Sequence, residues 1–127
     1  MDGKYIYGII STRQETALGI PGMDGSSPVF TIAHHGLGGV ASDHSGKEFA
    51  SMAKEEVIRC LLGHQLVVEH LMREHTVLPV KFGTILATSK EVRGLLSQGH
   101  QQFTEALAWI QDKVEVEVKT SGVYPWP

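Results

Sequence analysis

Val57-Ile58-Arg59-Cys60-Leu61-Leu62-Gly63-His64-Gln65-Leu66-Val67-Val68-Glu69-His70-Leu71 is the stretch on which the fold turns. Within it Val57, Leu61, His64, Val68 and Leu71, with His75 beyond, recur at i+3 and i+4, the spacing that lines up side chains on one face of an α-helix. The main body of that helix is expected over residues 52–74. Ser45-Gly46-Lys47-Glu48 fits a capping box upstream of it, and Ser51 offers a later start.

Upstream the apolar period is two, and the segments read as strands. Tyr5–Ile10 joins aromatic to β-branched residues and ends near Ser11; the polar stretch after it, with Pro21, Gly22, Gly25 and Pro28, reads as a loop. Val29–Ala33 and Leu37–Ser42, joined at His34-His35-Gly36, read as a hairpin. Downstream, Thr76–Lys81 is β-branched and apolar. Pro79 cannot donate to a ladder, so that segment is expected to be a bent strand at a sheet edge. Ser89 is placed to cap a second helix facing inward through Val92, Leu95, Leu96, Gly99, Phe103, Ala106, Leu107 and Ile110. Val114, Val116 and Val118 alternate with Glu115, Glu117 and Lys119, which predicts a last, half-buried strand, and Tyr124–Pro127 is a tail. This order implies an α+β fold, a ferredoxin-like sandwich with a mainly antiparallel sheet and two helices on one face. One domain is expected over residues 1–120, with 121–127 as tail.

The chain has 127 residues, 42% hydrophobic and 20% charged, with a formal charge of −3. That balance is globular, lacks the apolar runs of a membrane span, and lacks the basic stripe that phosphate neutralisation on nucleic acid requires. One cysteine, Cys60, leaves no internal disulfide, and Met1 to Ile10 does not form a signal peptide, so a cytoplasmic setting is expected.

Seven histidines raise the question of a metal. On the long helix His64 and His70 diverge by about 120° and His70 and His75 by about 140°. His64 and His75 share a face but stand about 16 Å apart, so no two chelate one ion unaided. His34 and His35 would face opposite sides of a strand. His64 reads as a buried neutral imidazole bonded to backbone, Cys60 as a core thiol, and Asp43-His44-Ser45 as loop rather than a triad. Gly36-Leu37-Gly38-Gly39-Val40-Ala41 has the letters of a dinucleotide fingerprint but does not open a helix. Two apolar residues remain unexplained. Leu62 and Leu66 point away from the buried face, among Glu55, Glu69 and Arg73, as a ridge on which another helix docks. Leu78-Pro79-Val80-Lys81-Phe82-Gly83-Thr84 reads as a shaped turn, with Pro79 breaking the ladder, Phe82 buried, Gly83 permitting a backbone conformation or a close approach denied to other residues, and Lys81 presented outward.

Taken in series, Tyr5-Ile6-Tyr7-Gly8-Ile9, the strand Leu37–Ser42, His64 followed by Val67-Val68-Glu69-His70-Leu71, Leu78-Pro79-Val80-Lys81-Phe82-Gly83-Thr84, and Val114–Lys119 resemble the GvpL/GvpF gas vesicle accessory family, from Lys4 to Thr120. The resemblance implies an N-terminal α+β domain of modified ferredoxin type in a protein that helps assemble the gas vesicle and binds the shell protein and other accessory proteins, without catalysis and without a cofactor. It implies a second, largely helical domain after the Val114–Lys119 match, whereas this sequence ends at Pro127; Lys81 stands where the family tends to have arginine. The protein-binding residues expected on this reading are Leu62, Leu66, Arg73 and Lys81. A reading from a different class is a small-ligand or metal-binding sensor or enzyme using His34, His35 and His44, and a third is a homodimer formed through the sheet.

Overall fold

The computed structural model describes residues 3–44 and 49–121, with side chains through Lys113. The capping-box candidate Ser45–Glu48 and the tail Tyr124–Pro127 lie outside the described residues. The elements are β1 (Gly3–Ser11), β2 (Ala17–Pro21), β3 (Pro28–His34), β4 (Leu37–His44), α1 (Lys54–Met72), β5 (Leu78–Pro79), β6 (Ile85–Leu86), α2 (Ser89–Gln98) and α3 (His100–Ser121), with one 3₁₀ turn at Phe49–Ser51. The sheet runs β2-β3-β4-β1-β5 and is antiparallel, with β5 and β6 in tandem along the outer edge of β1.

The α+β class and the antiparallel sheet agree with the sequence. The layering differs from a sandwich with both helices on one face. Adjacent residues of β1 point to opposite sides: Tyr5 and Tyr7 join Val67, Val68 and Leu71 of α1, while Ile6 joins Val92 and Leu96 of α2 and Leu107 of α3. The sheet is therefore roofed on both faces, and β1, buried along nearly its whole length, is a two-sided strand whose aromatic and aliphatic residues serve different layers. The pairing of β1 with β4 slips between Ile6 and Gly8. This bulge switches the parity, so that Ile9 lies on the α2 side with Ile6, and Ile10 on the α1 side with Tyr5 and Tyr7.

Five local expectations are corrected. The loop after Ser11 contains β2, because Thr16 and Thr31 lock its start onto β3 (Thr16 N–H to Thr31 Oγ1, 2.9 Å). The second helix is two, since Gly99 ends α2 by donating to the Leu95 carbonyl and starts α3 by accepting from Phe103 N–H (2.8 Å). Its N-cap is Thr88, whose hydroxyl accepts from Glu91 N–H; Ser89 is the first helical residue. Residues Val114–Lys119 continue α3 instead of forming a strand. Ile110, Val114 and Val118 also recur at i+4 with no glycine or proline between Gly99 and Gly122, so a helix already under way propagates through them. The first helix starts at Lys54 with Ala53 as an N-cap that makes no side-chain bond, so Ser51 does not cap it. Pro79 lies in the short edge strand β5, as its missing N–H requires.

Candidate functional site

The outer face of α1 carries the largest run of exposed apolar side chains among the described residues. Its buried side is His64, Val67, Val68 and Leu71. Opposite them, Ile58, Leu62 and Leu66 are 46%, 60% and 66% exposed. At 100° and 1.5 Å per residue these three form a stripe roughly 80° wide and about 12 Å long. Leu61, expected on the buried face, is exposed beside them. It stands on the flank of α1 that the sheet does not reach, so the apolar surface is wider than the predicted pair.

A groove of about 680 Å³ runs along this ridge, walled on one side by Leu62, Leu66 and Arg73 and on the other by the segment Gly19–Gly25. The second wall sits close because Gly63 has no side chain: a Cβ there would lie 2.6 Å from the Met23 carbonyl oxygen. Asp24 stiffens the wall, its Oδ1 accepting from Ser26 N–H (2.9 Å) and Ser27 N–H (2.8 Å). Burial opposes ionisation of Asp24, but the Ser27 hydroxyl and these backbone donors prevail and hold its carboxyl below the usual value.

Leu62, Leu66 and Arg73 thus come together, whereas Lys81 lies elsewhere. Lys81 is exposed in the turn after β5, where its carbonyl accepts from the Thr84 hydroxyl (2.7 Å). Phe82 is half-buried, its ring 5.0 Å from that of Phe49 and 5.6 Å from that of His64. Gly83 has φ +92 and donates its N–H to the Tyr5 hydroxyl (3.1 Å).

That last bond belongs to a polar network in the core. The Tyr5 hydroxyl is 2.8 Å from His64 Nδ1. With Gly83 N–H donating to the Tyr5 oxygen, the arrangement satisfying every group has Tyr5 donate to Nδ1 and leaves the imidazole proton on Nε2. His64 is therefore a buried neutral imidazole, as expected, but bonded to a side chain and not to backbone. Similarly, Met23 N–H donates to the Tyr7 hydroxyl (2.9 Å), which lies 2.8 Å from Ser42 Oγ. Burial pushes both phenols above their ordinary value. Cys60 is half-buried and packs against the same cluster.

Burial also pushes His64 below its ordinary value of 6.5. As pH falls, the unfolded chain takes up this proton before the folded one, so the stability tied to neutral His64 is complete above about pH 6.5 and declines below it. Thermal melts from about pH 7.5 down to about pH 5.5 are expected to show a falling midpoint for the unmodified chain and a shallower fall for His64→Gln. Equal slopes would assign the dependence to other groups.

The three histidines of the ligand-binding reading do not meet. His34 and His35 lie at one end of β4 and His44 at the other, roughly 23 Å along the strand by its rise per residue. His34 and His35, expected on opposite faces, instead stack with ring centroids 4.1 Å apart, because His35 has left the strand for a turn. Among the described residues no three His, Cys, Asp or Glu side chains are placed to hold a metal. Nor is any described helix long and apolar enough to cross a membrane.

Comparison with known proteins is consistent with this fold. The model of the gas vesicle synthesis protein GvpL/GvpF family matches residues 3–123. Gas vesicle proteins F2 and F1 of Halobacterium salinarum are each 26% identical, over 91% and 95% of this chain and 52% and 55% of their own. The crystal structure of gas vesicle protein GvpF from Microcystis aeruginosa superposes with a TM-score of 0.67 at 27% identity, covering 84% of this chain and 43% of that one. GvpF from Anabaena sp. PCC7120 superposes at 0.66 with 19% identity, over 94% and 54%, a likeness of fold alone. The chain spans about half the length of the relatives it matches.

Proposed function

The chain belongs to the gas vesicle synthesis protein GvpL/GvpF family, and from that premise we propose that it is a non-enzymatic assembly module that binds the gas vesicle shell protein, or another accessory protein of the vesicle, through the outer face of α1. The observation that carries this reading is the apolar ridge Ile58-Leu62-Leu66, which the fold leaves in water together with Leu61 on the same helix. Scattered exposed leucines are ordinary, but three on one stripe beside a groove present what an amphipathic partner helix takes up at i, i+4 and i+8. Arg73 at the end of the groove gives such a helix a charge to orient against. Lys81, apart from the groove, offers a second contact on a turn held rigid by Thr84 and Gly83.

The test replaces Leu62 and Leu66 with serine together. Because both side chains are exposed, the unfolding free energy is expected to change by no more than about 0.5 kcal/mol per site. Capture of purified shell protein is expected to weaken about tenfold or more, as loss of central apolar anchors does. Unchanged capture with both leucines gone would overturn the assignment of this face.

A further inference from the structure

At the end of the sheet remote from the 3₁₀ turn, Arg13, Glu15, His34, His35 and His100 line an open concavity of about 580 Å³. Its one carboxylate is already engaged: Arg93 of α2 donates to both oxygens of Glu15 (2.9 and 2.7 Å) and holds that carboxyl below its ordinary value. The guanidinium of Arg13 and three imidazoles therefore set the charge of the hollow. They come from separate elements, Arg13 from the β1–β2 connection, His34 from β3, His35 from the following turn and His100 from the start of α3.

Two features run against stability here. His35 has φ +48 and Gly36 φ +85, the signature of a two-residue type I′ turn, whose first position asparagine or glycine fills with least strain. The His35 ring moreover stacks on His34, and His100 is drawn in by a 2.8 Å contact between its Nε2 and the His35 carbonyl. Desolvation, then His35, His100 and Arg93, hold His34 below its ordinary value. A strained backbone that gathers groups of like charge is stabilised by a counter-charge placed among them.

We propose that this concavity binds a divalent oxyanion of the phosphate class, gripped by the fork of Arg13 beside the imidazoles of His34, His35 and His100. Arginine matches two oxygens of such an ion at once, and protonated imidazoles donate from both ring nitrogens. Binding is thereby linked to pH through His34: the ion raises the proton affinity of that imidazole, and acid raises affinity for the ion. The inference does not depend on what α1 docks.

Sulfate is the first probe, since it stays divalent from pH 6 to 8 and any change in affinity belongs to the protein. Calorimetric titration of the 127-residue chain is expected to give saturable binding at least about tenfold tighter near pH 6 than near pH 8. Arg13→Gln, at an exposed position, is expected to weaken it about tenfold with an unchanged melting midpoint. Imidazole NMR titration of the unmodified chain, which needs no variant, is expected to show the His34 transition moved upward by sulfate. Inorganic phosphate and phenyl phosphate then distinguish a free ion from a phosphomonoester, and tighter binding of either supports the site. No saturable sulfate binding near pH 6, equally tight binding of acetate, or an unshifted His34 titration would overturn the proposal.

Discussion

Tyr5→Phe is expected to destabilise the protein by about 3 kcal/mol, a fall in melting midpoint on the order of 10 °C for a chain of this size. The ring and its packing survive; what goes is one oxygen. That oxygen accepts from Gly83 N–H and faces His64 Nδ1 in the core between β1 and α1. Removing it leaves the buried His64 Nδ1 without a donor, which costs roughly 1–3 kcal/mol, and takes away the partner of Gly83 N–H in the half-exposed turn. Chemical denaturation of the variant against the unmodified chain measures the loss. A value below about 1 kcal/mol would mean that another group or a water molecule takes over both bonds. The variant also probes the turn at Lys81–Thr84, since Gly83 N–H is one of its ties to the core. Faster amide exchange there is expected to accompany the lost stability.

Gly63→Val tests the groove wall, and about 3 kcal/mol is again the expected loss. On an isolated helix, replacing glycine would be favourable by up to about 1 kcal/mol. Here the new Cβ would sit 2.6 Å from the Met23 carbonyl oxygen and 2.7 Å from its Cα, backbone atoms that cannot rotate away. The segment Gly22–Ser27 must lift off α1, breaking the bond from Met23 N–H to the Tyr7 hydroxyl. Exchange of the Met23 amide, monitored with the unfolding midpoint, distinguishes the causes: loss of protection confined to Gly22–Ser27 indicates displacement of the wall, and a midpoint unchanged or raised refutes the close approach. Shell-protein capture should weaken in this variant too, with a loss of stability absent from Leu62 and Leu66 to serine.

These two sites show where the sequence was legible. Periodicity located α1 within two residues at each end, and it identified Leu62 and Leu66 as outward-facing because the helical angle is a property of spacing alone. Spacing carries no information about which segment arrives opposite. The partnership of Tyr5 with His64 and the seat of Met23 on Gly63 join residues far apart in the chain, and no local pattern announces them. The same limit explains the layering. Tyr5–Ile10 has no polar residue to mark an outer face, which is the mark of a strand covered on both sides. Val114–Lys119 fits period two by itself, and only continuity with α3, through Ile110, Val114 and Val118 at i+4, makes it helix, a consideration that a window of six residues does not contain. The cluster at Arg13, His34, His35 and His100 went unseen because its members lie in three separate segments, brought together by the β3–β4 hairpin and the start of α3.

The position of β1 bears on how the chain reaches this state. It is synthesised before every element it touches, yet one edge waits for β4 and the other for β5 and β6, with Lys4 finally opposite Leu86. During translation, then, a greasy ribbon from Tyr5 to Ile10 leaves the ribosome with an unfilled flank until Ile85 and Leu86 have emerged. Such long-delayed closure slows folding and invites intermolecular strand exchange, so a nascent chain halted before Leu78 would be a natural client for a chaperone.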